Sequence, residues 1–138
     1  MNRIIIILSI IIPIAFFSCK RLSDECDPNK TCYTDRPDSL WVQLQMVLNA
    51  ENDSVLVKFY KGNVDDGELQ WEYYSFSEKI DELVPVGNRY SAEAYYKKGD
   101  KTIIAVDGDR LDPDYFYNCE EKCYEWEDDM ILDLKISD

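Results

Sequence analysis

The 138-residue chain has no histidine and few basic residues, and each shortage excludes a class of function. Catalytic triads of the Ser-His or Cys-His kind need an imidazole base, so the sequence excludes this kind of nucleophilic enzyme. Only 15 Lys and Arg stand against 28 Asp and Glu, a formal charge of −13. Nucleic-acid binding depends on cationic side chains that neutralise phosphates, so nucleic acid is excluded as a partner. We expect no enzyme activity, no cofactor and no metal.

Long hydrophobic runs are equally scarce, and the chain has one, at its start. A basic residue at Arg3 precedes an almost wholly apolar stretch, 4–17, which is followed by Ser18 and Cys19. This is the layout of a secretory signal peptide. The stretch is shorter than the roughly 20 apolar residues that a membrane-spanning helix needs. We therefore predict that residues 1–18 are a signal peptide that is removed.

The run Phe16-Phe17-Ser18-Cys19 resembles the lipobox of bacterial lipoproteins, in which a small residue precedes the cysteine that receives lipid. The resemblance implies that the mature chain begins at Cys19 and is anchored by acyl chains, each contributing about 0.8 kcal/mol per buried methylene. Lys20 stands where enteric lipoproteins retained in the inner membrane have Asp, which favours the outer membrane. The pair Asp24-Glu25 is similar to the acidic tether of surface lipoproteins of the Bacteroidota. The periplasmic face and the cell surface both stay open.

Four cysteines remain besides the predicted anchor: Cys26, Cys32, Cys119 and Cys123. An even number in an exported domain of this size predicts two disulfides. Zinc is disfavoured, because the spacings match no finger and the chain has no histidine. Of the three possible connectivities, bonds from the first pair to the last would close the longest loops and stabilise by roughly 4 to 5 kcal/mol. We therefore favour cross-pairing over local pairing.

Alternation of apolar and polar residues dominates the chain after residue 38, and no segment shows a helical period. Short turns are expected at 77–83 and 112–121. Strands joined by turns, without helices for crossovers, predict an all-β antiparallel sandwich over 38–138, preceded by a tether at 19–37. If seven strands run up and down in order, the first and the last begin at the same end, which brings the two cysteine pairs together. The strand candidates are 40–48, 55–60, 69–74, 83–86 (the weakest), 90–97, 102–106 and 130–136.

The run Pro85-Val86-Gly87-Asn88-Arg89-Tyr90-Ser91-Ala92-Glu93-Ala94 resembles the Gly-x-x-Tyr-x-x-x-Ala signature of prealbumin-like sandwich domains. The resemblance implies a prealbumin-like or immunoglobulin-like sandwich in which a turn glycine leads into a strand whose Tyr and Ala pack inward. It implies nothing about function. Alternation also predicts four aromatic residues in the core: Trp71, Tyr73, Tyr90 and Tyr96.

Two groups of residues are candidate binding sites. The segment 107–114 holds Asp107, Asp109, Asp112 and Asp114, which could gather around calcium. It lacks the EF-hand pattern, and a solvated loop at a strand end is favoured. The second group lies on the polar sides of the strands, where an exposed aromatic face could bind a protein or stack on sugars. Its members are Trp41, Tyr60, Tyr74 and Tyr95.

These observations predict a non-enzymatic, lipid-anchored protein that binds a protein partner or has a structural role at the outer membrane. The alternative is a glycan-binding module that uses the exposed aromatic residues.

Overall fold

The computed structural model describes residues 26–126 and 130–137, and these ranges contain strands and turns without a helix. The predicted all-β class is confirmed. The apolar run, Cys19 and the pair Asp24-Glu25 lie outside the described residues. None of the described segments forms a helix that could cross a bilayer. The strands are β1 (Ser39–Gln45), β2 (Val55–Lys61), β3 (Glu68–Ser75), β4 (Lys79–Pro85), β5 (Asn88–Lys98), β6 (Lys101–Leu111), β7 (Tyr115–Asn118), β8 (Glu121–Tyr124) and β9 (Met130–Asp133).

Seven of these strands form two sheets that enclose one core. The four-stranded sheet has the order β3-β2-β5-β6, and the three-stranded sheet has the order β4-β1-β9. Neighbouring strands are antiparallel except β1 and β9, which are parallel. Parallel neighbours begin at the same end, as an up-and-down order requires for the first and last strands. The predicted sandwich is thus confirmed, with one parallel pair in it.

Alternation along the strands sets which side chains enter the core. In β1, Leu40, Val42 and Leu44 are buried while Trp41 and Gln43 face outward. Strands β2 and β5 repeat the pattern, because successive side chains of a strand point to opposite faces of its sheet. The core therefore lies between the sheets, built from the inward residues of both.

Aromatic rings fill one part of this core. Phe59 stacks on Tyr90 with ring centroids 5.6 Å apart and on Trp71 at 5.3 Å. Tyr90 and Tyr96 are buried as predicted, and Trp71 is half-buried. The prediction for Tyr73 is wrong, since this side chain is 44% exposed. Its strand, β3, is the edge of its sheet, where fewer neighbours cover an inward side chain.

The strands predicted at 40–48 and 130–136 both end three residues early, at Gln45 and Asp133. The expected boundaries are wrong at three further places. Lys79–Pro85 is a full strand, so the weak strand is real and replaces most of the turn expected at 77–83. β6 continues through Asp107 to Leu111, because it pairs with β5 along its whole length. The segment predicted as a solvated loop is therefore largely strand. The turn expected at 112–121 contains a strand as well, β7.

Strands β7 and β8 form a separate hairpin that the sequence did not predict. Its turn residues, Cys119 and Glu120, both have positive φ, 53° and 71°. Two-residue hairpin turns need this conformation and usually obtain it from Asn-Gly or Asp-Gly. Neither pair is present here, so the usual sequence mark of such a turn is missing.

The run that resembles the prealbumin signature has the expected local structure. Gly87 adopts φ +81° in the turn before β5, and Tyr90 and Ala94 are buried on the inner face. The Tyr90 hydroxyl donates to the Pro85 carbonyl oxygen at 2.8 Å, which ties the strand to its turn. Membership of the prealbumin-like group stays a prediction.

Candidate functional site

Three of the four predicted aromatic residues share the outer face of the four-stranded sheet. Tyr74 pairs with Leu56, Leu56 with Tyr95, and Tyr95 with Ile104, so one row crosses all four strands. Tyr74 is 61% exposed and Ile104 is exposed, while Leu56 and Tyr95 are half-buried. Tyr60 and Val106 lie beside this row on the same face. We call the six residues together the tyrosine face: Leu56, Tyr60, Tyr74, Tyr95, Ile104 and Val106.

Hydrogen bonds hold two rings of the tyrosine face in place. The hydroxyls of Tyr60 and Tyr95 both donate to Glu93 Oε2, at 3.0 and 2.9 Å. Burial, reinforced by the bond to Glu93, raises the pKa of Tyr60 to about 12, and the same causes raise the pKa of Tyr95. Both phenols therefore stay neutral near pH 7, and the shared carboxylate holds both hydroxyls in place.

Charged side chains and a shallow cavity border these rings. Lys58 lies 3.3 Å from a Glu72 carboxylate oxygen, and its ammonium is 5.3 Å from the Tyr95 ring centroid. Near the end of the face, a cavity of about 260 Å³ is lined in part by Leu56, Tyr74 and Tyr95. A side chain from a partner could enter this cavity without a change in the sheet.

Trp41, the fourth predicted residue, lies on the opposite side of the molecule. It pairs with Leu83 on the outer face of the three-stranded sheet and is 46% exposed. The single aromatic face expected from the sequence is therefore two surfaces. The reason is that β1 belongs to one sheet and β2, β3 and β5 to the other, so their outward sides point in opposite directions.

Two disulfides attach the segment before β1 to the β7–β8 hairpin. Cys26 is bonded to Cys119, and Cys32 to Cys123, which confirms cross-pairing. The Tyr124 amide also donates to the Tyr33 carbonyl oxygen at 2.8 Å. We call residues 26–36 and 112–126 the disulfide module. The tether was predicted at 19–37, and nearly all of its described part, residues 26–37, belongs to the disulfide module.

The disulfide module carries six aromatic residues that the functional prediction missed. Sequence reasoning could have noticed that five lie within 115–126, next to two cysteines. Lysines cover several of these rings: Lys30 lies 3.5 Å from the Phe116 centroid, and Lys122 lies 3.8 Å from that of Tyr115. The six are Tyr33, Tyr115, Phe116, Tyr117, Tyr124 and Trp126.

Trp126 lies where the disulfide module meets the three-stranded sheet, and it borders two cavities. One, of about 420 Å³, is also lined by Lys30, Thr31, Tyr33, Phe116, Tyr124 and Glu125. The other, of about 400 Å³, is also lined by Asp38, Ser39, Leu40, Trp41 and Leu83. We call the two cavities together the tryptophan groove.

The acidic segment does not present its carboxylates together. Asp107 accepts the Asp133 amide at 2.7 Å and so ties β6 to β9. Asp112 is bound by Arg36 at 3.2 Å and by Arg110 at 2.6 Å. Among the described residues, no group of three or more acidic or cysteine side chains could hold a metal ion. These contacts give Asp107 and Asp112 a structural role.

Comparisons with known proteins add no family or relative. No family model, no curated protein and no solved structure matches the chain.

Proposed function

We propose that the protein is an exported lipoprotein, anchored through Cys19 to the outer membrane, that binds a partner protein through the tyrosine face without catalysing a reaction. Its sandwich is proposed to be prealbumin-like. Two disulfides support export, since such bonds persist in oxidising compartments. The lipobox-like run before Cys19 supports the anchor.

The row of apolar side chains that crosses four strands, two of them exposed and two half-buried, carries the proposal. Large contiguous apolar patches are uncommon on soluble domains and mark interaction sites. Tyrosine is enriched at protein interfaces because one ring supplies apolar area and a polar tip. The bonds from Tyr60 and Tyr95 to Glu93 order their rings before binding, which lowers the entropy that binding costs.

The same bonds favour a protein over a sugar on this face. A sugar needs both donors and acceptors for its hydroxyls, but the hydroxyls of Tyr60 and Tyr95 already donate to Glu93 and can only accept a further bond. The other members of the row include Leu56 and Ile104, which offer only apolar contact. The chain's charge of −13 favours a partner with a basic rim.

Site-specific cross-linking on intact cells tests the binding surface. A photoreactive residue at position 74 or 104 should give a defined adduct with one protein. The matched control is position 117, whose tyrosine is exposed but lies on the disulfide module. A Tyr74→Ala, Ile104→Ala variant should lose the partner. Equal adducts from positions 74 and 117, or none from 74 and 104, would contradict the proposal.

The anchor has its own test. Cys19→Ser should move the protein from the membrane fraction to the soluble fraction without changing its thermal unfolding, because the disulfides and core lie outside the anchor. Wild type should incorporate a labelled fatty acid and the variant should not. A wild-type protein that takes up no label, or a variant that stays with the membrane, would contradict lipidation at this residue.

A further inference from the structure

We propose that the tryptophan groove binds a neutral oligosaccharide. This site is separate from the tyrosine face and goes beyond the binding of a protein partner. Two indole rings lie outside the core. Trp41 faces outward from β1 and is 46% exposed, and Trp126 lies outside both sheets and is 49% exposed.

The groove is rigidly built although it adds little to the core. Within strands β7 and β8 only Cys123 is buried, yet two disulfides hold this hairpin to the segment that carries Tyr33. The Tyr33 and Trp126 rings lie 5.8 Å apart, with their planes tilted by 49°. A site fixed in this way loses little freedom when a ligand binds.

Lysine contacts distinguish the groove's indoles from neighbouring rings. Lys30 covers Phe116, and Lys122 covers Tyr115. In the part of the chain that the structure describes, no ammonium lies over Trp41 or Trp126. Among the described residues the two indoles thus have no cation over their faces, and each is nearly half exposed.

The lining of the groove matches the two kinds of surface on a sugar. The C–H face of a sugar ring is apolar and packs on an aromatic plane, while the hydroxyls at its rim need hydrogen-bond partners. Besides Lys30 and the two tyrosines, four polar side chains line the groove, and within the described ranges none of these four makes a side-chain hydrogen bond. They are Thr31, Asp38, Ser39 and Glu125.

Charge and size narrow the ligand class. The lining carries two carboxylates against one ammonium, that of Lys30, which lies over the Phe116 ring, and the whole chain carries −13, so uronic acids, sulfated sugars and phosphates are disfavoured. Each cavity, about 400 and 420 Å³, falls in the size range of small-ligand sites. Because Trp126 borders both cavities, a chain of sugar units can lie across the two. The ligand is therefore a neutral oligosaccharide.

Intrinsic fluorescence provides the test, because two of the chain's three tryptophans line the groove. The purified full-length protein is titrated with neutral hexasaccharides of glucose, xylose, mannose and N-acetylglucosamine, and with a galacturonic acid hexamer. At least one neutral hexamer should give a saturable change, and the acidic hexamer none. Trp126→Ala should weaken binding by about tenfold or more, with Trp126→Phe intermediate.

Matched variants separate this site from the rest of the molecule. Tyr117→Ala removes an exposed ring of the same module outside the groove and should leave the affinity unchanged. Tyr74→Ala should also leave it unchanged, so failure here is distinct from failure of the protein-binding proposal. Thr31→Val, at an exposed position, should weaken binding without removing a ring. Absence of binding to every neutral hexamer, or equal loss in Tyr117→Ala, would overturn the proposal.

Discussion

Removal of both disulfides is expected to cost much more stability than removal of either alone. The bonds span 93 and 91 positions, so each by itself closes nearly the whole domain into one loop in the unfolded chain. In the chain-entropy picture a loop of this length stabilises by about 4.6 kcal/mol. When one bond is present, the other closes only a ring made of segments 26–32 and 119–123. That ring has about 10 residues, and closing it contributes about 2.7 kcal/mol.

The expected free energies of unfolding follow directly. A Cys26→Ala, Cys119→Ala variant should lose about 2.7 kcal/mol, because the other bond still closes the large loop. Removal of all four cysteines should cost about 7 kcal/mol. The two bonds should therefore show a coupling of about 2 kcal/mol in a double-mutant cycle. Cys26 and Cys119 are exposed, so their replacement by alanine leaves no cavity that would obscure the effect.

Equilibrium urea unfolding, followed by tryptophan fluorescence, measures these values in the wild type, the two single-bond variants and the variant without disulfides. Non-reducing peptide mapping of each protein confirms which bond it retains. Buried Cys123 makes the Cys32→Ala, Cys123→Ala variant the less stable of the two single-bond forms. Strictly additive losses would refute the shared-loop reasoning. A loss of the full 7 kcal/mol in either single-bond variant would do the same.

Three further predictions concern the sandwich itself. Tyr96→Phe removes a buried hydroxyl that donates to the Leu134 carbonyl oxygen at 2.8 Å, and it should cost about 1 to 3 kcal/mol in urea unfolding. Gly108→Ala should lower the melting temperature, because its Cβ would lie 2.6 Å from a side-chain carbon of the neighbouring strand. Glu93→Gln should lower the pKa of Tyr60 in a phenolate absorbance titration, while burial keeps it above the ordinary value of 10.0. The raised folded pKa means that stability falls as pH rises from about 10 towards about 12.

Each of these predictions has a control within the chain. Tyr74→Phe removes a hydroxyl from an exposed ring and should change stability by less than about 0.5 kcal/mol. Gly99→Ala, where a Cβ meets nothing within 4 Å, should cost only its backbone strain at φ +60°, about 1 kcal/mol. Tyr60→Phe should remove from the titration the phenol whose pKa is about 12. A Tyr96→Phe as mild as Tyr74→Phe, a Gly108→Ala milder than Gly99→Ala, or an unchanged titration in Glu93→Gln would each contradict its argument.

Several features of the fold were predictable because they depend on local pattern. Inward residues such as Val57 and Phe59 lie two positions apart along the chain, and this period alone indicates a strand and its buried face. The even number of cysteines and the length of the loops indicated cross-paired disulfides. The weak candidate at 83–86 is short, yet pairing with β1 extends it to a full strand.

Other features required partners that are distant in sequence. Tyr73 alternates like a core residue but is exposed, because β3 has a neighbouring strand on one side only. The aspartates of 107–109 resemble a loop, but pairing with β5 holds them in β6. The β7–β8 hairpin lacks the usual turn residues and is held by disulfides to a segment about 90 positions earlier.

The candidate sites likewise combine features set by local pattern with features set by residues distant in sequence. Alternation within a strand decides which side chains leave the core, so the amino-acid pattern was enough to predict that Trp41, Tyr60, Tyr74 and Tyr95 face outward. Which of them share a surface depends on how the strands assemble into sheets. Strand alternation says nothing about which sheet a strand joins, and sheet membership separates Trp41 from the three tyrosines. The tertiary structure also brought Trp126 beside Trp41, because disulfides and strand pairing join segments that no local pattern connects.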